Sequence, residues 1–523
     1  MSDIVLSAST RQNLLSLQNT AELLATTQNR LSTGKKVNTA LDNPTNFFTA
    51  ASLDARASDI NNLLDGIGNG VQILQAANTG ITSLQKLVDS AKSVANQALQ
   101  TTIGYSPKSK ITAAAVPGAT PANLLGTPTY SSVAVNGTAV TAKNAAAITT
   151  ATTLSGAAGT DSLPTDLTTG DTLTINNKTV TFVATGAASV DAGGNVTIGL
   201  DQTVGALLTS INGITGGSSS ITGGAITLNT GTTSDLTIAG TALAKLGLTP
   251  GTTPRTATTP MGGETLTIAA TGNGTATSIT FGTGVNQVSN LNELNAALAP
   301  NNLIASIDTE GAITITTSND AASSTIGAVG GSLAAVGKPF SGLVGSTPIA
   351  DPVAQATRAN LVNQYNNIMA QITTTSQDAS FNGINLLGGD TLKLVFNETG
   401  KSTLTINGLM LDANGLGLAN LKAGTDFIDN NSTNAIVDRL NAASSRLRAE
   451  ASNLGSNLSV VQIRQDFSKN LINVLQTGSS NLTLADTNEE AANSQALATR
   501  QSIAVSALAL ANQSQQSVLQ LLR

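Results

Sequence analysis

Two sequence patterns divide this chain, one shared by its two ends and the other confined to its middle. Residues 1–104 and 351–523 are rich in Leu, Ala, Asn and Gln and show sustained seven-residue apolar periodicity. Residues 105–350 are rich in Thr, Gly, Ser and Ala and contain short β-type runs. Seven-residue periodicity is typical of helices that pack along a narrow seam. We therefore predict a multi-domain α+β fold in which the chain folds back like a hairpin, pairs its helical ends and displays its β-rich centre at the far tip.

The composition excludes several classes of function. A length of 523 residues predicts several domains, and charged residues make up 11% of the chain against a usual ~25%. The net charge is −6 without a basic block, which argues against a nucleic-acid partner. The chain has no Cys, His or Trp, so it cannot build disulfides, zinc sites of the common kind or imidazole-based acid–base catalysis. We predict no enzymatic activity, no cofactor and no metal site, and a building block is the better interpretation.

Neither end of the chain predicts insertion into a membrane. The start, MSDIVLSASTRQ, lacks the basic region and apolar stretch of a cleavable secretory signal. The longest apolar run near the other end, residues 503–511, is about half of a ~20-residue membrane span. If the protein leaves the cell, we expect a route that leaves its N-terminus uncleaved.

The N-terminal segment predicts two helices separated by a turn cluster around Pro44. The first ends at Gly34 and has a seam at Leu14, Leu17, Ala21, Leu24, Gln28 and Leu31. The second keeps one register for about six heptads, at Leu53, Ala57, Ile60, Leu64, Ile67, Val71, Leu74, Asn78, Ile81, Gln85, Val88, Lys92 and Ala95. A glycine inside a helix costs roughly 1 kcal/mol. We expect close helix–helix approach to compensate for four of them: Gly66, Gly68, Gly70 and Gly80.

The C-terminal segment repeats this spacing in two seams. One contains Ile436, Leu440, Ala443, Leu447, Leu454, Val461, Leu471 and Leu475, and the last helix carries Leu497, Ala504, Leu508, Ala511, Val518 and Leu522. Polar residues interrupt the seams of both segments, which favours a fixed register over stability: Gln28, Asn78, Glu450, Asn457 and Arg464. Between the helical stretches, alternating apolar residues on either side of NETGK predict a small β-hairpin over 391–411.

The centre contains two copies of one pattern. GDTLTI, VTF, TVGALLTSIN, ITGGAITLNT and DLTIAG recur in order as GETLTI, SITFGTG, SNLNELNAAL, IDTEGAITITT and STIGAVGG. Five matches in order favour a true duplication over chance similarity between Thr/Gly-rich stretches. We predict module 1 over 166–255 and module 2 over 256–350, each with the order strand–strand–helix–strand–strand. Residues 105–165 have weaker strand signals and three X-Pro turns, so we predict a connector there.

Two glycine motifs superficially resemble nucleotide-binding loops. GIGNG (66–70) lies inside a heptad helix without a preceding strand, so its glycines are better explained by packing. NETGKS (397–402) contains Gly-Lys-Ser but has Val395 where a P-loop needs its first glycine. Because it joins two strands, a hairpin turn is the better interpretation.

The terminal segments resemble bacterial flagellin. The matching stretches are QNRLSTGKKVNTALDNPTNFFTAASL (28–53), GIGNGVQILQAANTGITSLQKLV (66–88), SFNGINLLGG (380–389), RLRAEASNLGSNLSVVQIRQDFSKNL (446–471) and ALALANQSQQSVLQLLR (507–523). They span about half of the chain in the family's order. The resemblance implies a structural subunit of the extracellular flagellar filament, exported by the flagellar type III apparatus, polymerising with itself, and meeting a flagellin chaperone, the filament cap and hook-junction proteins.

The resemblance also implies a domain plan. Residues 1–45 would pair with 482–523 as an inner coiled coil, 46–104 would pack with 351–481 as a helical bundle, and 105–350 would be a variable insert facing solvent. The assembly interface would then include Leu14, Leu17, Leu24, Leu31, Leu497, Leu508, Val518, Leu519 and Leu522.

One functional stretch departs from the family. Flagellins sensed by the Toll-like receptor for flagellin carry a helix motif similar to LQRVRELAVQ, and the aligned stretch here is VDSAKSVANQ (88–97). Ser90 replaces the first arginine, Ser93 replaces the glutamate, and Lys92 keeps only a charge. We therefore expect weak sensing by that receptor.

Two other functions remain open at this point. A hook–filament junction protein shares flagellin-like ends but does not propagate a polymer, and the NQSQQSVLQLLR terminus favours flagellin over it. A surface adhesin could instead display the central β modules on a helical stalk.

Overall fold

The computed structural model describes residues 8–521 of the chain, with side chains described up to residue 517. The chain divides into two compact units. The helical unit comprises the residues up to Thr101, residues Thr357–Phe427 and the residues from Ser432 onward. The insert unit comprises Thr102–Ala356 and Ile428–Asn431. The long helices of the chain's two ends thus share one unit, and the small sheets of its centre share the other.

Within the described residues the α-helices are α1 (Ala8–Thr33), α2 (Pro44–Gln100), α3 (Val204–Thr215), α4 (Ala242–Lys245), α5 (Leu291–Leu298), α6 (Pro352–Asp378), α7 (Asn430–Thr483) and α8 (Thr487–Leu521). The strands are β1 (Lys110–Thr112), β2 (Thr129–Ser131), β3 (Ala134–Ala139), β4 (Thr172–Ile175), β5 (Lys178–Val183), β6 (Ser189–Val190), β7 (Val196–Gly199), β8 (Ser220–Thr222), β9 (Ala225–Asn229), β10 (Leu236–Ala239), β11 (Gly251–Thr253), β12 (Thr256–Thr258), β13 (Thr265–Ile268), β14 (Thr277–Thr280), β15 (Leu303–Ile307), β16 (Ile313–Thr317), β17 (Val329–Gly330), β18 (Thr391–Val395) and β19 (Thr403–Asn407).

Helix α2 confirms the predicted six-heptad register. Every predicted seam position is buried or half-buried, and Leu74 and Val88 are fully enclosed. The helix begins one turn earlier than the turn cluster suggested, because Pro44 occupies its first turn and Asn43 caps it. The Asn43 side chain accepts a hydrogen bond from the backbone N–H of Asn46 at 3.0 Å.

The expected role of the α2 glycines is wrong for two of the four. Gly66 faces open space, and Gly68 has only the Gln465 amide at 3.8 Å from where its Cβ would lie. A Cβ on Gly70 would lie 2.5 Å from Leu394 of the β-hairpin, and one on Gly80 would lie 2.6 Å from Ala379, just beyond the end of α6. The close approach at these two positions is therefore made by the hairpin and a loop, and not by the body of a neighbouring helix.

The core of the helical unit lies between α2, α6, the first half of α7 and the β-hairpin. The predicted α7 seam is buried throughout, apart from half-buried Leu471, and Gln85 of α2 donates to the Ser444 hydroxyl of α7 at 2.6 Å. Helix α6, which sequence analysis did not single out, adds Tyr365, and its ring meets Phe427 edge to face at 5.9 Å between centroids. Burial raises the pKa of Tyr365 to about 12. These contacts close one continuous apolar core within the unit.

The predicted β-hairpin is confirmed. Strands β18 and β19 pair antiparallel from Thr391 with Asn407 to Val395 with Thr403. The NETGKS loop joins them, with the Asn397 side chain accepting the Ser402 N–H at 2.9 Å. The Gly-Lys-Ser sequence is therefore part of a turn between strands, as expected.

The two predicted modules share one topology, which supports their duplication. The order β10–β4–β5 in the first copy matches β17–β13–β14 in the second, and the order β3–β9–β8 matches β1–β16–β15. Even the register agrees, because Leu228 pairs with Val135 where the equivalent Ile315 pairs with Ile111. Helix α5 lies between the second and third strands of module 2, as predicted. In module 1 two additional strands, β6 and β7, come between the second predicted strand, β5, and helix α3.

The same polar contacts tie the edge of each module. Lys245 binds Asp171 at 2.7 Å in module 1, and Lys338 binds Glu264 at 2.5 Å in module 2. The Lys338 ammonium lowers the pKa of Glu264 below its usual value. In each copy the first strand also exchanges two hydrogen bonds with the segment after the last strand, between Thr172 and Thr241 and between Thr265 and Ser332. Equivalent ion pairs at equivalent positions are strong support for a common origin of the two modules.

The prediction that residues 105–165 form a connector is wrong. Strand β1 completes a sheet of module 2, strand β3 completes a sheet of module 1, and side chains from this stretch enter both cores. The chain thus begins module 2, passes through all of module 1 and returns to module 2. At the crossing, β2 and β12 pair antiparallel, with Ser131 opposite Thr256. A three-residue edge strand with a distant partner gives too little local periodicity to be predicted.

Candidate assembly surface

Helices α1 and α8 pack against each other in antiparallel orientation. At one end, the backbone N–H of Lys36 donates to Thr483 at 2.7 Å and that of Ala485 donates to Gly34 at 3.0 Å. At the other end, the Gln515 amide donates to the Thr10 hydroxyl at 3.3 Å. Gly34 has a φ of +68° directly after α1, which suits a residue without a side chain and ends the helix as predicted.

One ion pair fixes the register of these two helices. Arg30 of α1 lies 3.3 Å from the Glu490 carboxylate in the first turn of α8. The Glu490 side chain is largely buried, whereas that of Arg30 is about one-third exposed. A half-exposed pair of this kind contributes little to stability but favours one alignment of the helices. Beside the pair, the chain turns at residues 38–43, where the N–H groups of Thr39 and Asn38 lower the pKa of Asp42.

The seam of α1 differs from the prediction. Leu17, Ala21 and Leu24 belong to the seam as predicted, whereas Gln28 is exposed. The buried and half-buried residues of α1 are Thr10, Asn13, Leu17, Thr20, Ala21, Leu24, Thr27 and Arg30. Leu14 and Leu31 are 37% and 38% exposed and lie outside it. The buried threonines are compatible with a helix because a hydroxyl can bond its own backbone, as Thr20 does to the Ser16 carbonyl at 2.7 Å. Four of the α1 leucines, Leu14, Leu15, Leu23 and Leu31, are therefore exposed in the single chain.

The seam of α8 agrees with the prediction where it is described. The half-buried residues recur three and four apart and include Leu497, Ala504, Leu508 and Ala511. Val518 and Leu519 belong to α8, but their side chains lie outside the described part of the chain, as does the whole of Leu522. The seam also contains the polar residue Gln515, as its spacing predicts, and two polar residues that were not predicted, Ser494 and Gln501.

The outer faces of the paired helices expose seven large apolar side chains and few charged ones, chiefly Arg11 and Glu22 on α1 and Arg500 on α8. Large side chains exposed there are Leu14, Leu15, Leu23 and Leu31 on α1 and Ile503, Val505 and Leu510 on α8. Arg500 is the single charged residue between positions 491 and 522. A helix exposed permanently to water normally carries a charged outer face. Large apolar side chains exposed on helices with few charges are typical of a surface that another protein covers.

A second exposed apolar stripe lies on the C-terminal half of α7. Val460, Ile463, Phe467 and Val474 are 42–67% exposed, although the opposite face of the same helix is buried. The four residues are spaced three, four and seven apart, which places them on one side of a helix. Sequence analysis missed this stripe because it followed only the seam that α7 shares with α2.

The receptor-motif residues lie on α2. Ser90 and Ser93 are exposed and Lys92 is half-buried, while the neighbouring Ala91 and Ala95 are fully buried in the core. The three substituted positions therefore belong to the accessible side of the helix or to its margin. The expectation of weak receptor sensing stays a prediction.

Neither a membrane-spanning helix nor a metal site is found in residues 8–521. No described helix is long and apolar enough to cross a bilayer. Groups of three or more acidic residues that could hold a metal ion are likewise absent from the described part of the chain.

Family comparisons agree with this arrangement of the two ends. A family model described as the bacterial flagellin N-terminal helical region matches residues 4–115, and one described as the bacterial flagellin C-terminal helical region matches residues 437–522. The first match covers α1 and α2, and the second covers most of α7 and α8. Residues 98–284 match a Domain of Unknown Function (DUF1522).

Individual relatives point the same way. Flagellin FljM of Caulobacter vibrioides is 32% identical over 165 residues, which are 31% of this chain and 59% of the relative. Flagellin A of Rhizobium meliloti is 30% identical over 132 residues, 24% of this chain and 33% of the relative. The alignments thus span less than two thirds of these relatives. With flagellin helical regions matched at both ends, and those ends paired in one unit, the chain is a member of the bacterial flagellin family.

Proposed function

We propose that this protein is a structural subunit that polymerises into the extracellular filament of a bacterial flagellum. The observation that carries the proposal is the outer face of the α1–α8 pair, where seven large apolar side chains are exposed and charged residues are few. Apolar surface removed from water contributes roughly 25 cal/mol per Å², so covering such faces drives association. A second copy of the chain is the partner that the family membership supports.

The exposed stripe on α7 supports the same proposal. A polymer subunit needs at least two surfaces, because a single self-complementary surface gives only a closed dimer. Two different complementary surfaces give a ring if the rotation between subunits closes and a helical polymer if it does not. The α1–α8 faces and the α7 stripe offer such surfaces within the helical unit. We propose that α1 with α8 forms the inner coiled coil and that α2, α6 and α7 form the surrounding bundle.

The remaining partners follow from the proposed assembly. We propose that the chain is exported by the flagellar type III apparatus, is held by a flagellin chaperone before export, and is added beneath a filament cap onto hook-junction proteins. The chaperone would cover the C-terminal helix, whose apolar outer face needs protection from premature association.

Electron microscopy of the purified full-length chain tests the proposal. Added to preformed seeds, the chain should give filaments whose mean length increases with the amount of subunit supplied. A hook–filament junction protein would instead give short caps or rings of fixed size at every concentration. Failure to polymerise on any seed, with the helices folded by circular dichroism, would contradict the proposed function.

We expect the insert to be dispensable for polymerisation. The two chain segments that enter and leave the insert are paired, since the N–H of Ser106 donates to Ile349 at 2.9 Å and the N–H of Asp351 donates to Gly104 at 2.9 Å. Replacing residues 107–348 by a short Gly/Ser linker would therefore join neighbouring backbone ends. The variant should form filaments of reduced diameter, measured by electron microscopy. If it folds its helices but never polymerises, the insert belongs to the assembly interface.

A further inference from the structure

Module 1 contains a cleft that is bordered by a segment absent from module 2. It has a volume of about 640 Å³ and lies between the β5–β7–β6 edge of the sheet and helix α3. Its lining includes Lys178, Val190, Val196, Ala206, Thr209 and Ile214. Pockets that bind small molecules are typically ~300–1,000 Å³, so this one has an ordinary size for a ligand site.

The cleft exists because one segment is longer in module 1. Residues 183–202 separate Phe182 from Thr203, which caps α3, whereas residues 282–289 separate the equivalent Phe281 from Asn290, which caps α5. The extra residues form β6, which pairs antiparallel with β7 and brings Val190 over the helix. Because β6 is present in only one copy of the duplicated module, the surface that it forms is not required by the shared fold.

The lysine that lines the cleft, Lys178, forms no ion pair among the described residues. Residues 134–255 contain three lysines, and two of them bind carboxylates, Lys143 with Asp166 and Lys245 with Asp171. The third, Lys178, donates to the Gly193 carbonyl at 2.8 Å, and among the described residues no carboxylate lies within ion-pair distance of it. Its aliphatic stem lies against Gly194, which holds the ammonium at the rim. An ammonium has three donors, so it can bind an anion while keeping this contact.

The other lining groups restrict the ligand further. Val190, Val196 and Ile214 offer an apolar wall, and no aromatic ring lines the cleft for stacking a sugar or a base. The hydroxyls of Thr209 and Ser210 already donate to carbonyls of their own helix, at 2.9 Å and 3.1 Å. Lys178 is therefore the main donor available to a bound anion.

We propose that this cleft binds a small amphipathic anion, an unbranched aliphatic carboxylate whose chain lies against the apolar wall and whose carboxylate accepts hydrogen bonds from Lys178. The site is separate from the helices proposed to polymerise, so binding and filament formation can fail independently.

Isothermal titration of the full-length chain with octanoate tests the proposal, with methyl NMR of Val190, Val196 and Ile214 locating the site. We expect saturable binding of one octanoate per chain. Lys178→Met, which keeps the apolar stem, should weaken binding about tenfold or more, since one charge-assisted contact is lost. Lys401→Met removes an exposed lysine of the β-hairpin loop and should leave binding unchanged. Ala206→Phe should fill the cleft and abolish binding.

Octylammonium carries the same chain with the opposite charge and should not bind. Equal binding of octanoate and octylammonium, equal binding by the Lys178→Met variant, or no saturable binding of octanoate would each overturn the proposal. Shifts spread over the whole chain, in place of shifts confined to the three named residues, would show nonspecific adsorption and would overturn it as well.

Discussion

Replacing Leu510 by Asp should abolish polymerisation while leaving the folded monomer unchanged. Leu510 lies on α8 with 72% of its surface exposed, so the single chain loses almost no packing when it is replaced. In a polymer that covers this face, the change removes roughly 1.5–3 kcal/mol of apolar burial and places an unpaired carboxylate in the interface, which costs more. Because every subunit repeats the interface, this loss of binding free energy weakens the addition of each new subunit to the polymer. Sedimentation of polymer and the thermal melting of the monomer measure the two results.

Two further variants serve as comparisons, one at an exposed position of the insert and one in the α1–α8 seam. Val285→Asp makes the same chemical change at a 93% exposed position in the insert and should polymerise normally. Leu508→Asp changes a residue half-buried in the α1–α8 seam, so it should block polymerisation by preventing these helices from pairing on assembly, while barely changing the melting temperature of the monomer. Normal filaments from the Leu510→Asp variant would show that the outer face of α8 is not part of the interface between subunits.

The helices that sequence analysis described best are those with a single buried seam. In α2 one register runs unbroken because its seam residues are buried along the whole helix, Ile60 in a small cluster with Ile472 and Leu475 and Ile67 and Leu74 in the main core, and so periodicity and structure agree. In α1 leucines occupy more than one side, and periodicity alone does not tell which stripe meets α8 and which is left for another chain. The predicted seam was therefore half right: Leu17, Ala21 and Leu24 are half-buried, whereas Leu14, Gln28 and Leu31 are exposed.

The insert shows a different limit of sequence reasoning. The duplication could be found because the strands repeat local alternation, as in GDTLTI and GETLTI. The contributions of β1 and β3 could not, because each is defined by a partner far along the chain, β16 and β9. The neighbour of Gly70 was wrongly predicted for the same reason, because the side chain that occupies the space beside it, Leu394, is far along the chain.

Candidate-site residues were predictable only in part. Apolar periodicity identified Leu497 and Leu508, which lie in the α1–α8 seam. It did not identify the exposed stripe on α7. Single apolar residues outside a seam are common on protein surfaces, so they predict nothing until the burial of the surrounding helix face is known. Leu510 was missed for the same reason, although it is the more direct position for testing assembly.

The last prediction concerns how α1 and α8 become ordered. The buried residues of α1 are three threonines, whereas α2 buries a continuous series from Ala50 to Ala98. Ordering each residue costs roughly 1–2 kcal/mol, which the narrow α1–α8 seam offsets poorly in a single chain. We therefore expect amide hydrogen exchange in residues 8–33 and 487–517 of the monomer to be at least about a thousandfold faster than in the α2 seam, and to slow strongly in the filament. The α2 amides serve as the internal control, because their burial does not depend on a neighbouring subunit. Strong protection of both terminal segments in the free monomer would contradict this coupling of folding to assembly.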